Sequence, residues 1–260
     1  MNNISAIAGV VIKEMYRRKD FYVLFVLTAL ITLLLGSVRF FNDDLIVRYL
    51  KDVCLLLIWM SSLVIAITTA ARQIPAERES RTIFPLLAKP VGRGELIMGK
   101  FLGCWLACGL ALLVFYFFFG MITASREHAW PLVSFFQEIW LHWICLGVVV
   151  ALALLGSIIF AAPSSNATIC FVAVAFILFA GGHLSHLANG MRGMAGIIVY
   201  VIYYLIPHLE WYYSAQDLVV HDWGRIDWLY WGVATIYGLL YSGFLLSAAW
   251  LAFRRRSLTS

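Results

Sequence analysis

Long uncharged apolar runs alternate with short charged stretches along the whole chain. Runs free of Asp, Glu, Lys and Arg cover residues 21–38, 53–71, 101–123, 139–162, 169–188 and 228–253. A helix needs about 20 apolar residues to cross the hydrocarbon core of a bilayer. The pattern therefore predicts six membrane spans. A further stretch, MAGIIVYVIYYLIP, ends at Pro207 within segment 189–227. It is short for a full crossing and suits a re-entrant or interfacial element.

The charged stretches supply an orientation. With the N-terminus inside, segments 1–20, 72–100, 163–168 and 254–260 hold 13 of the 19 Lys and Arg residues. The same segments hold 5 of the 14 carboxylates. This is the positive-inside distribution, and it places both termini in the cytoplasm. A late basic cluster, Lys13, Arg17, Arg18 and Lys19, argues against a signal peptide, whose basic region comes first. Ile4, Ile7, Val11 and Met15 fall on one helical face, which predicts an amphipathic helix over 3–19 lying in the membrane interface.

Composition agrees with this pattern. The chain is 63% hydrophobic and 13% charged, with a mean hydropathy of +0.88. Soluble domains run near 45–50% apolar and about 25% charged. The expected fold is one all-α polytopic membrane domain, 1–260, with six transmembrane helices. All five cysteines lie in apolar runs, which predicts buried thiols and no disulfides. No basic patch interleaved with aromatics stands outside the spans, so the basic balance points to the bilayer and not to nucleic acid.

Several motifs could carry chemistry. Gly94 to Lys100 matches the start of a phosphate-binding loop, but Phe101 stands where Ser or Thr must hold magnesium. Lys100 is expected to snorkel toward the inner headgroups. His183 and His186 are spaced i, i+3 and His208 follows in the outer segment. They carry an alternative reading, a membrane enzyme or metal-handling protein; a non-transporting scaffold subunit is a further alternative. No nucleophile elbow is present. The six runs contain no Asp, Glu, Lys or Arg to mark an ion path, so the energy source is expected to lie in another chain.

The richest charged stretch is 72–100, RQIPAERESRTIFPLLAKPVGRGELIMGK. Pro75 suits a first helical position, with Glu77 and Glu79 in the first turn where the helix dipole favours acids. This predicts a short helix over 76–84. Pro90, Gly92 and Gly94 then break the chain before the third span.

Glu77-Arg78-Glu79-Ser80-Arg81-Thr82-Ile83, Leu86-Leu87-Ala88-Lys89-Pro90-Val91, Arg93-Gly94-Glu95 and Gly99-Lys100 together resemble the signature of ABC transporter permeases of the type-2 exporter family. Leu205-Ile206-Pro207-His208-Leu209-Glu210 resembles a Pro-Asn-Leu element of one branch of it. The resemblance implies a coupling helix docked on a separate cytoplasmic ABC ATPase, with Glu77, Arg78, Glu79, Arg81, Thr82 and Pro85 at or beside the contact. It implies two ATPase copies, which bind ATP and magnesium, and a second permease chain forming a homodimer. This chain would carry no cofactor and no catalytic residue. It also implies a bacterial cytoplasmic (inner) membrane location, and a central path near Trp59, Thr68 and Phe176.

Overall fold

The computed structural model describes residues 3–17, positions 22, 26, 29–31 and 34, and residues 44–79, 92–127, 132–191, 194–213 and 226–255. Among the described residues there are helices and no strands. In chain order they are α1 (Asn3–Tyr16), α2 (Asp44–Ala71), α3 (Gln73–Glu79), α4 (Arg93–Glu127), α5 (Leu132–Ile159), α6 (Pro163–Gly190), α7 (Met194–Leu205), α8 (Glu210–Tyr213) and α9 (Trp228–Arg255).

Four described helical stretches are long and apolar enough to cross a membrane: 51–79, 93–121, 132–159 and 228–255. Shorter apolar helical stretches cover 163–179 and 196–205. Most of the expected first span, 21–38, lies outside the described residues.

The element ends follow local chemistry. α6 opens on Pro163, whose missing N–H is an orphan at a first helical position anyway. At the start of α4 the backbone N–H of Gly92 donates to Glu95 Oε2 at 3.0 Å, the carboxylate half of a capping box. Glu95 also accepts from Asn3 Nδ2 at 3.2 Å, which ties the start of α1 to the start of α4.

α5 is the centre of the bundle, packed against α2, α3, α4, α6 and α9. Small residues at Gly147, Ala151, Ala153, Gly156 and Ser157 give it a slim, buried surface. In lipid, close backbone approach replaces the hydrophobic drive as the source of helix association. The α4–α5 contact shows how tight this becomes. Trp105 Nε1 donates to the carbonyl of Trp143 at 2.9 Å, and Trp143 Nε1 donates back to that of Trp105 at 3.0 Å. Each indole lies over the other helix's glycine, Trp143 on Gly109 and Trp105 on Gly147. A W-x-x-x-G pattern thus occurs once on each antiparallel helix and clasps the pair.

Between α6 and α9, the described residues 207–212 pack onto the bundle. Pro207, His208, Leu209 and Tyr212 are buried. Tyr237 Oη accepts from the His208 backbone N–H at 3.1 Å, and the Tyr241 hydroxyl donates to the Leu205 carbonyl. The Tyr212 hydroxyl donates to the Ala234 carbonyl at 2.7 Å. α7 is helical as the apolar pattern suggests, with Ile197, Ile198, Val201 and Leu205 exposed.

Candidate functional site

The charged stretch that drew attention in the sequence is built as a junction. α3 follows α2 after a turn at Arg72 and begins at Gln73, two residues before Pro75. Pro75 is therefore the third helical residue, and Glu77 and Glu79 sit beyond the first turn. The expected short helix over 76–84 is corrected to this extent: α2 runs on almost without a break, so the helix needs no new start at Pro75. Residues 80–91 lie outside the described residues, and with them Arg81, Thr82 and Pro85.

Proline cannot donate to the carbonyl four residues back, here Ala71. Asn166 of α6 supplies a donor instead, its Nδ2 lying 3.4 Å from the Ala71 carbonyl and 2.9 Å from that of Ala153. Asn166 is fully buried. It packs against Gly156, where a Cβ would collide with its amide oxygen. One side chain therefore holds together the end of α2, α5 and the start of α6.

Gln73 and Glu77, spaced i, i+4, present one polar face of α3 to α4. Lys100 meets it. Lys100 Nζ donates to Glu77 Oε1 at 2.7 Å, to Gln73 Oε1 at 3.1 Å and to the Gln73 carbonyl at 3.1 Å. Lys100 is 3% exposed, so the expected snorkelling toward headgroups is corrected. A partner 23 residues away holds the ammonium inside the bundle. Glu77 is 22% exposed, Arg78 is half-buried, and Glu79 is exposed.

The first turns of α4 gather the remaining elements. Arg93 Nη1 donates to the carbonyls of Phe253 at 3.1 Å and Arg254 at 2.9 Å. A cation is well placed at these carbonyls, the negative end of the α9 dipole. Gly94 faces the Trp250 ring, which a Cβ at this position would meet at 3.6 Å. Gly99 and Gly103, one helical turn apart, seat α1: a Cβ on either would fall within 3 Å of Ile7 or Val11. The residues that mimic a phosphate loop thus have other work. They lie on a helix and contact α1, α3 and α9.

A model of the ABC-2 family transporter proteins matches residues 53–252. The chain belongs to this family. It is an integral membrane protein and, as family membership implies, a membrane subunit of an ABC transporter. Among curated proteins, none matches it at a significant level.

The remaining candidate residues are scattered. Trp59 faces the bundle core, stacked on His142 at 4.0 Å, and is 2% exposed. Thr68 donates its hydroxyl to the Val64 carbonyl at 2.6 Å on the same helix. Phe176 of α6 is 54% exposed, on a face with Val172 and Phe179. The structure does not bring Trp59 and Phe176 onto one open surface, because stacking on His142 turns the indole inward.

The histidines do not converge either. His183 is exposed, and the side chain of His186 lies outside the described residues. His208 is buried beside Glu210, with Nδ1 3.2 Å from Oε1, among Tyr203, Trp211 and Tyr237. Among the described residues no group of three or more His, Cys, Asp and Glu is placed to hold a metal. The five cysteines are free and buried.

The sequence reading missed a buried polar cluster in the bundle core: Ser62 of α2, Tyr116 of α4, and Glu138 and His142 of α5. Glu138 stands one residue before the charge-free run 139–162, so it counted as a loop residue. In the structure α5 already begins at Leu132, which places Glu138 inside the helix. Its i, i+4 spacing to His142 was the available signal.

Proposed function

We propose that this chain is the transmembrane subunit of an ABC exporter, passing the force of ATP hydrolysis from a separate ATPase into the bundle through α3. Six spans with both termini cytoplasmic put the α3 end of the bundle inside, following the Lys and Arg distribution. Two such chains would form the membrane unit, each with one ATPase, in a bacterial cytoplasmic membrane. ATP and magnesium belong to the ATPase.

One observation carries the coupling role: α3 is gripped on one face and open on the other. Gln73 and Glu77 hold Lys100, while Glu79 is exposed. A helix held this way moves with α4 when a partner pushes its outer face. Arg78, Glu79, Arg81, Thr82 and Pro85 would form the docking face. Glu77 would transmit through Lys100 as well as border the contact. The cargo path would run along the open side of α2 and α6, past Thr68 and Phe176 with Trp59 buried behind them.

The test is co-purification of ATPase activity. Tagged full-length protein drawn from its native membranes in mild detergent should bring vanadate-sensitive ATPase activity with it. Glu79→Arg should remove that activity while leaving the yield and melting temperature of the permease intact. Full activity retained by Glu79→Arg and by Arg81→Glu would refute coupling through this segment.

A further inference from the structure

The C-terminal end of α9 carries donors that the bundle leaves unused. Trp250 and Arg254 are spaced i, i+4, and the Arg254 guanidinium lies 5.7 Å from the centre of the Trp250 ring. Both residues are exposed, Trp250 to 39%. Among the described residues, neither the Arg254 guanidinium nor the Trp250 Nε1–H meets an acceptor. No described carboxylate pairs with Arg254 or with its exposed neighbour Arg255.

The other charges of this corner are engaged. Lys100 is held by α3. Arg93 donates to the Phe253 and Arg254 carbonyls and lies over the Phe253 ring. The nearby acid on α4, Glu95, accepts from the Gly92 N–H and from Asn3 on the α1 side. A surplus of positive charge therefore remains at the end of α9, and it faces away from the bundle.

The surface next to this charge is apolar. The Trp250 indole lies against Gly94, across the junction of α4 and α9. Met98, one turn along α4, is exposed, and so is Ser247 on α9. Ser247 spends its hydroxyl on the Gly243 carbonyl at 2.8 Å, so it presents no unsatisfied donor. A Cβ at Gly243 would meet nothing within 4 Å. Phe244 and Leu251 beside this step are exposed apolar side chains.

This is the two-part chemistry of a phospholipid. A guanidinium fork matches a phosphate. An indole N–H at the membrane boundary suits an ester or glycerol oxygen, and the step at Gly243 and Ser247 leaves room for an acyl chain. Charge decides among lipids. A zwitterionic headgroup brings its own ammonium toward the guanidinium, whereas an anionic headgroup does not.

We propose that Arg254 and Trp250 form a binding site for one anionic phospholipid at the junction of α4 and α9. Its phosphate sits on the Arg254 guanidinium and its acyl chain on the Gly243–Ser247 step. The lipid joins α4 and α9 from outside, as Arg93 joins them from within. Its place in the inner leaflet rests on the orientation proposed above, but its binding to the protein does not.

The test is lipid titration of the full-length protein in a mild neutral detergent, with bound lipid counted by native mass spectrometry. Phosphatidylglycerol should bind more tightly than phosphatidylcholine with the same acyl chains, to one copy per chain. Arg254→Gln should weaken phosphatidylglycerol about fivefold, the weight of one basic side chain at an anionic surface, and leave phosphatidylcholine unchanged. Trp250→Leu should weaken phosphatidylglycerol as well. Lys13→Gln, which removes an exposed charge from α1, should have no effect. Equal binding of the two lipids overturns the proposal, as does an affinity that Arg254→Gln leaves unchanged. A loss as large in Lys13→Gln would show diffuse charge in place of a site. Displacement of the lipid by an equal concentration of inorganic phosphate would show a free-anion site instead. No ATPase enters this experiment, so its failure leaves the coupling role standing, and failure of that role leaves the lipid site standing.

Discussion

At the α3 end of the bundle, polar side chains reach for backbone carbonyls and charges at helix ends. In its core they reach for one another. Lys100, Arg93 and Asn166 each make at least two contacts, and most of their acceptors are carbonyls of α3, α9, α2 or α5. Those carbonyls are orphans of helix ends or of Pro75 for the most part, and lipid offers them no alternative partner. The core cluster of Ser62, Tyr116, Glu138 and His142 joins side chains within helices instead. The first region therefore positions helix ends, and the second ties α2, α4 and α5 together along their lengths. A permease that takes up force at one end needs the first kind of contact there, because a push on α3 must reach α2, α4, α5 and α6 undiminished.

This comparison can be broken at several places. The largest effect is expected from Lys100→Met. It leaves the Glu77 carboxylate and the Gln73 amide beside a buried apolar group, and removing one partner of a buried pair costs about 3 kcal/mol. The melting temperature in detergent should fall clearly, and adding Glu77→Gln should restore part of the loss. A double variant no more stable than Lys100→Met would mean that the pair is not the source of the effect.

Next is Gly103→Leu, which drives a side chain into Val11 and the Ala8 carbonyl. Overpacking of this kind costs about 2 kcal/mol. The specific expectation is release of α1, read as faster proteolysis before residue 17 with the rest of the chain protected. Unchanged protection of α1 would contradict the close seat. Asn166→Ala should cost somewhat less, about 1–2 kcal/mol for orphaned carbonyls. It should also reduce ATPase activity in the purified complex more than its effect on melting explains, because it uncouples α2 from α6. The smallest effect belongs to Trp105→Phe. It removes one of two reciprocal indole bonds and keeps the ring over Gly147, so about 1 kcal/mol is expected. A loss as large as that of Lys100→Met would show that the clasp, and not the α3 junction, dominates the bundle.

Much of the architecture was legible because hydrocarbon imposes a coarse code. The charge-free runs 53–71, 101–123, 169–188 and 228–253 fall wholly within α2, α4, α6 and α9. The run 139–162 overshoots the end of α5 by three residues and misses its first seven. That offset hid Glu138. A scan for absent charge ends a span at the first carboxylate, whereas a helix keeps one if Tyr116 on a neighbour receives it. Lys100 was misjudged for the same reason. A lysine at the end of an apolar run reads as facing headgroups, and Glu77 becomes its partner only once α3 folds against α4.

The family signature was visible in one dimension, but its logic is spatial. Glu77 near its start and Lys100 at its end form an ion pair, and Arg93 between them caps α9. The pattern W-x-x-x-G at 105–109 and 143–147 was too short to stand out as a repeat, and its meaning lies in the antiparallel pairing of two helices.

The central claim is that the exposed face of α3 meets the ATPase while its other face is held by Lys100. Site-specific photo-crosslinking tests it most directly. A photoreactive residue placed at position 79 of the full-length chain, activated in native membranes, should join the permease to a chain that also labels with a photoreactive ATP analogue. The same probe at position 77, turned toward Lys100, should crosslink within the permease. Probes at 79 that label only lipid or the permease itself would contradict the account.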